Sequence, residues 1–293
     1  MNRSNRLINT GMLLAILSFS ATPALASETD NNASTTTPQT ETKHTFSPHI
    51  TAYVAATYSD DWASDYRDDR NVEFDFKLGY QFTPKISAGV ITGVYYLDNS
   101  YCSTHTKDYW CMTTTYLYGS YSNLYSIGDF TTFGLKGRFI LPTTQYARDT
   151  KLQYGIAGYV PISFDVDRYI SGFGLVLQPS LTKYSNTYKT SGGQNLTEYT
   201  LGLDLYASYQ FTDKFSFTLS VNDRHYITYQ GNAHYPSLSH SEEFGYQPTS
   251  SWYFGLGYTN SAQYYNPDRG PNPITGLFDD KDPHFYLSSS FAF

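Results

Sequence analysis

Glu73, Asp75 and Lys77 occupy alternate positions of one short segment, and Lys136 with Arg138 repeats the spacing further along the chain. Side chains two residues apart on an extended backbone point to the same side. These groups, together with Glu198, Asp204 and Arg224 on the same phase of their own segments, would therefore share one polar surface. The set holds four acids and four bases. Facing water, fixed charges of both signs could steer small polar solutes by their field. Facing each other, they could pair and close a polar core. A surface selecting acidic oligosaccharides or phosphate would need a basic excess that this set does not supply.

Other reactive residues are few. Cys102 and Cys111 are the only cysteines, and with His105 nearby they still fall short of a four-ligand metal centre. The stretch 59–70 carries five Asp in twelve positions, but it lacks the spacing and glycine of a calcium loop and reads as a solvated acidic loop. No metal and no cofactor are expected. Gly-x-Ser-x-Gly and phosphate-loop strings are absent as well.

The N-terminus supplies the context for the cysteines. Arg3 and Arg6 precede an uncharged stretch from Ile8 to Ala21, and Ala24-Leu25-Ala26 is a small-x-small cleavage site, so residues 1–26 read as a secretory signal peptide. Export places Cys102 and Cys111 in an oxidising compartment, where a disulfide stiffening one outer loop is the natural reading. Removing Arg3 and Arg6 leaves 17 basic residues (19 less 2) against 26 acidic ones. A nucleic-acid partner would ask for the opposite sign. Residues 27–46, rich in Thr, Ser and Asn, have little to bury and read as a flexible leader, followed by one domain over 47–293.

The polar residues must be positioned by strands. The chain has 293 residues with 30 Tyr and 19 Phe, and only 15% of it is charged. Mean hydropathy is -0.44. No uncharged apolar run beyond the N-terminus is long enough for a membrane helix. Aromatic side chains fit pleated sheet surfaces. In 72–82, apolar Val72, Phe74, Phe76, Leu78, Tyr80 and Phe82 alternate with polar residues and Gly79. The same period of two runs through 86–96, 199–211 and 215–221. These runs reach ten or more residues, the length that crosses a bilayer at a tilt, and Tyr80, Phe82, Tyr209 and Phe211 collect at their ends as interfacial rings do.

The last segment alternates into a terminal Phe, with Phe285, Leu287, Phe291 and Phe293 in phase and Ser289 departing from the apolar spacing. On these features the chain resembles the bacterial outer-membrane β-barrel superfamily, over nearly all of 47–293 and without pointing to a subfamily. The resemblance implies an all-β, transmembrane, antiparallel up-and-down β-barrel in the outer membrane. Its partners would be outer-membrane lipids and the barrel assembly machinery, with the closing strand as assembly signal.

A turn repeat predicts the strand number. Tyr80-Gln81-Phe82-Thr83-Pro84-Lys85 and Tyr209-Gln210-Phe211-Thr212-Asp213-Lys214 share a pattern, which Tyr246-Gln247-Pro248-Thr249 echoes. Its spacing places two more turns near 123 and 166, so five short turns join twelve strands centred near 54, 77, 91, 116, 136, 157, 176, 204, 220, 242, 256 and 289. The tenth fits least, because its outward phase sets His240 and Glu242 beside Leu238, Phe244 and Tyr246; a short strand, or one extending beyond the lipid, is expected there. Longer connections at 59–70, 98–110, 142–150, 185–196, 228–236 and 262–283 would face outward.

Some barrels of this size hydrolyse lipids. The phospholipases among them carry a Ser two residues after their His, within a His-x-Ser-Asn-Gly signature on the lipid-facing surface, and no such string occurs here. His225 falls on the outward phase, and Ser237, Ser239, His240 and Ser241 cluster in the next strand without defining nucleophile, base and orienter. The expectation is a passive channel for small polar solutes, with Glu73, Asp75, Lys77, Lys136, Arg138, Asp204 and Arg224 lining the lumen. A non-conducting surface barrel is the second reading and a lipid hydrolase the third.

Overall fold

Each alternating segment has one greasy face that needs cover and one row of unpaired backbone groups on each edge. A cylinder meets both demands, because its ladder has no edge and its apolar face can be given to lipid. The computed structural model describes residues 49–60, 71–97, 109–266, 270–271 and 284–293. The signal peptide, the leader, most of the acidic loop and Cys102 lie outside the described residues.

Twelve antiparallel strands form the wall: β1 His49–Asp60, β2 Asn71–Gln81, β3 Ile86–Leu97, β4 Thr115–Ile127, β5 Thr131–Leu141 and β6 Leu152–Tyr159, then β7 Phe173–Asn186, β8 Thr197–Gln210, β9 Phe215–Thr228, β10 Ala233–Tyr246, β11 Trp252–Gln263 and β12 His284–Ala292. Every expected strand centre falls inside one of them. Past Val160-Pro161, Ile162–Phe164 continues β6 against β5 and β7. Each strand pairs with its sequence neighbours, and the ring closes where β1 meets β12, from Tyr53 opposite Ala292 to Asp60 opposite Phe285.

The strands are tilted, as the register shows. One hydrogen-bonded row runs Leu175, Ala207, Leu219, Glu242, Tyr258, Phe285, Asp60. It begins near the short-turn end of β7 and finishes at the last residue of β1, so it climbs the full height of the wall while passing around half of it.

Outward positions form the lipid-facing band. Phe76, Leu78, Leu117, Leu201, Leu203, Phe244, Leu256 and Leu287 are all exposed. Rings gather at the short-turn rim, where Tyr80 meets Phe82 at 4.8 Å, Tyr209 meets Phe211 at 4.9 Å and Trp252 meets Phe291 at 5.0 Å. Near the other rim Tyr96 packs on Trp110 at 5.2 Å and Tyr258 on Phe285 at 5.3 Å.

The repeated turn has a physical basis. Thr83 Oγ1 accepts from the backbone N–H of Lys85 (3.2 Å) and Ile86 (3.0 Å), and Thr212 Oγ1 accepts from Lys214 (3.3 Å) and Phe215 (3.1 Å). In both turns the preceding Gln side chain donates to the Thr carbonyl. The third turn keeps the hydroxyl bond, from Trp252 N–H to Thr249 Oγ1 at 3.1 Å.

Three expectations about elements need correction. The turn placed near 123 is a bulge inside β4: the register slips between Tyr121 and Tyr125, Asn123 takes a φ of 54°, and the chain reverses only at Gly128, whose φ is 58°. Asn tolerates this left-handed geometry better than most side chains, which is why turn chemistry there misled the reading. The tenth strand is not short, since β10 spans 14 residues. The connection after β9 is tighter than expected: Thr228 N–H donates to Asn232 O at 2.9 Å, and Gly231 takes a φ of 78°.

Candidate functional site

The inward phase of the strands builds the lumen. Register puts Glu73, Asp75 and Lys77 on the inner side of β2, Lys136 and Arg138 on β5, Asp204 on β8 and Arg224 on β9. These seven residues share one phase by register, but they do not form one evenly mixed set.

Lys77, Lys136 and Arg138 gather on one wall. The charge of Arg138 acts on both lysines, and that of Lys77 acts on Lys136. Aromatic rings hold them: the Arg138 guanidinium lies 5.2 Å from the Tyr116 ring and 4.9 Å from the Tyr159 ring, and Lys77 Nζ lies 5.3 Å from Tyr118. A Cβ on Gly89 would come within 2.9 Å of the Tyr118 ring, so the glycine makes the space in which that ring lies. All three cations are only half-buried.

Acids collect on the adjoining wall. Glu73 and Asp75 are neighbours on β2, and Glu243 of β10 accepts from the Tyr253 hydroxyl at 2.5 Å and the Ser288 hydroxyl at 3.1 Å. Asp75 and Glu243 both act on Tyr53. Glu243 was missed by the sequence reading, although the alternation that turns Glu242 outward turns its neighbour inward. The tyrosines of the lumen, Tyr53, Tyr95, Tyr116, Tyr118, Tyr159, Tyr206, Tyr226, Tyr253 and Tyr286 among them, were missed too. Their inward phase follows from register with the charged positions and with one another.

Asp204 and Arg224 form a third group. They make an ion pair across β8 and β9, with side-chain exposures of 2% and 14%. The guanidinium crosses Gly202, where a Cβ would lie 2.7 Å from Arg224 Nη1. Gln178 Nε2 donates to the other Asp204 oxygen at 3.2 Å. Gln178, Asp204 and Asn222 stand on one hydrogen-bonded row. Among the described residues, both amide atoms of Asn222, Gln178 Oε1 and Glu73 Oε1 meet no hydrogen-bonding partner. Buried polar groups of this kind are held by water in folded proteins.

Glu198 does not join the lining. It sits at a register shift and faces Lys183, Nζ to Oε1 3.9 Å, while Lys183 stands over the Tyr199 ring on the outer side. Cys111 lies in a short strand, Trp110–Met112, paired with β3 rather than in a loop, and is buried opposite Tyr95.

The outward phase of β9 and β10 carries a group of polar side chains, of which His240 is itself buried. Asp223 and His225 of β9, and His240 and Glu242 of β10, stand on the lipid-facing phase; His225 Nε2 is 3.2 Å from Asp223 Oδ2, and His240 Nδ1 is 2.9 Å from Glu242 Oε1. The serines that cluster with His240 in sequence do not cluster with it in space. Ser237, Ser239 and Ser241 pair with Arg224, Asn222 and Ser220, on the inner face of the same strand. Pleating separates the two sets, so the imidazole–carboxylate pairs have no serine nucleophile from β10.

No family model matches the sequence, and curated proteins offer no match. Solved structures do. The chain is similar to an outer membrane channel from Pseudomonas putida F1, at 11% identity and TM-score 0.56, over 83% of this chain and 95% of that one. It is similar to the NanC porin at 11% identity and TM-score 0.52, over 82% and 98%. The KdgM porin aligns at 8% identity and TM-score 0.49, over 82% and 99%. The fold is that of the bacterial outer-membrane β-barrels, and its closed ladder and apolar outer band suit the outer membrane.

Proposed function

We propose that the barrel is a passive channel for small polar solutes, with Lys77, Lys136 and Arg138 and the adjoining acids Glu73, Asp75 and Glu243 lining a hydrated passage. The observation that carries this reading is the gathering of the three half-buried cations at membrane depth. Like charges held together away from water are costly, and a water-filled lumen relieves that cost. The neighbouring channel and the NanC porin support the class of function, not a solute. Asp204 and Arg224 neutralise each other, so they narrow the passage on the β8–β9 side and contribute little net field.

The remaining expectations complete the proposal. Residues 1–26 are removed on export, 27–46 form a leader, and Cys102 bridges to Cys111 to stiffen the outer mouth. Phe285, Leu287, Phe291 and Phe293 serve the assembly machinery as the closing-strand signal.

Planar-bilayer recording of the refolded barrel under a potassium chloride gradient tests the channel. An open, salt-dependent current is expected, and Lys136→Glu should move the reversal potential toward cation preference. Electrical silence from a correctly folded barrel would leave the surface-protein reading in its place. On the same sample, thiol labelling should require prior reduction; labelling without it would remove the disulfide.

A further inference from the structure

We propose that the outer rim of β6, β7 and β8 is a seat for the phosphate groups of lipopolysaccharide, the phosphorylated glycolipid of the outer leaflet. Phe173, Leu175, Leu177, Pro179 and Leu181 follow one another on the outward phase of β7, and Lys183 is next in that series. Ten residue steps separate Phe173 from Lys183, about 26 Å of height at the usual strand tilt, which matches the apolar band of an outer-membrane barrel. The lysine therefore stands where hydrocarbon gives way to headgroups, at the end of the wall that carries the long connections and faces outward in this class. Rings flank it there, as they do at membrane boundaries. Tyr154 of β6 is two residues from the Ile156 that pairs with Lys183 and stacks on Phe139 at 5.7 Å, and Lys183 Nζ lies 5.2 Å from the ring of Tyr199 on β8.

Among the described residues, Lys183 is the one lysine or arginine on the lipid-facing phase of the twelve strands. Its surface is open: the side chain is 57% exposed, and Leu181, Ile156 and Leu201 around it are exposed as well. Glu198 Oε1 stands 3.9 Å from Nζ, beyond hydrogen-bonding reach, so the three-donor ammonium keeps capacity for another acceptor. Further cations stand on the same rim. Arg148 and Lys151 lie in the connection that enters β6 and Lys189 in the one that leaves β7, all exposed, with Asp149 as the single acid of the two segments. Thr187 N–H donates to Lys151 O at 2.9 Å, which ties these connections together above Lys183. Leucines, rings and cations thus follow one another along the membrane normal, the order that apolar tails and an anionic headgroup require. A glycolipid with several phosphates can meet Lys183 and the cations above it together, whereas a phospholipid with one phosphate cannot.

Binding of fluorescent lipopolysaccharide to the full mature barrel in phosphatidylcholine nanodiscs, measured against discs without protein, tests the proposal. Saturable binding that weakens with added salt is expected, and enzymatic removal of the phosphates from the probe should weaken it at least tenfold. Lys183→Met with Lys151→Ser should weaken binding of the intact lipid to a similar degree, while Lys183→Arg, which keeps the charge, should preserve it. Heat-modifiable gel mobility reports that each variant is folded, and the phosphatase comparison needs no variant at all. Equal affinity for the dephosphorylated lipid, or equal affinity of the double variant for the intact one, would overturn the proposal by leaving the acyl chains as the whole source of binding. Equal affinity for phosphatidylglycerol would overturn it too, because any anionic headgroup would then suffice.

Discussion

Phenylalanine and tyrosine are used differently in the wall, with tyrosine serving both faces. Phe76, Phe139, Phe244 and Phe285 face lipid, whereas the tyrosines of the lumen turn a ring edge and a hydroxyl toward charged neighbours. A phenol satisfies a polar interior and still fills space, which a phenyl ring cannot do. The Asp204–Arg224 pair shows the same logic for charge. Arg224→Ala should cost about 3 kcal/mol, because it strands a buried carboxylate, while Asp204→Leu with Arg224→Leu should recover most of that loss. Urea unfolding of the three proteins in lipid vesicles checks both values. An equal cost for the single and double variants would mean that lumen water already solvates Asp204.

The two complete Thr turns act as independent clamps at the element scale. Each Thr hydroxyl satisfies two backbone donors that would otherwise face the interface, as a Ser or Thr turn does. Thr83→Ala and Thr212→Ala should each destabilise the barrel by about 1 kcal/mol. Their hairpins share no partner, so the effects should add to within about 0.5 kcal/mol. Equilibrium unfolding of the single and double variants measures this, and a strongly non-additive pair would show that the turns are coupled through the wall. The bulge at Asn123 works differently, by lengthening β4 relative to β5 so that this hairpin runs past the turn after β2. Ser122 N–H donates to Lys85 O at 2.8 Å where that overhang begins.

Closure is the property of the whole molecule. β12 is held by β11 on one side and β1 on the other, so it converts a curved sheet with two open edges into a ring. Backbone groups left unpaired in hydrocarbon cost several kcal/mol each, by the general rule for membranes. A chain truncated before Phe285 should therefore yield no detergent-resistant, heat-modifiable form. A folded band from that chain would show that eleven strands can close without the twelfth.

Alternation is local, so the residues alone decided that Val72 to Phe82 has two faces, that Asp75 and Leu78 lie on opposite ones, and that strands of this length suit a bilayer. The turn repeat came from the same source, since a Thr hydroxyl caps its own neighbours. What the chain could not show by itself is which distant strands meet and at what height. That depends on register around the ring, which a slip such as the one at Asn123 shifts for all that follows. Tertiary pairing alone therefore joined Asp204 to Arg224, gathered Lys77 with Lys136 and Arg138, and set Glu243 between Tyr253 and Ser288.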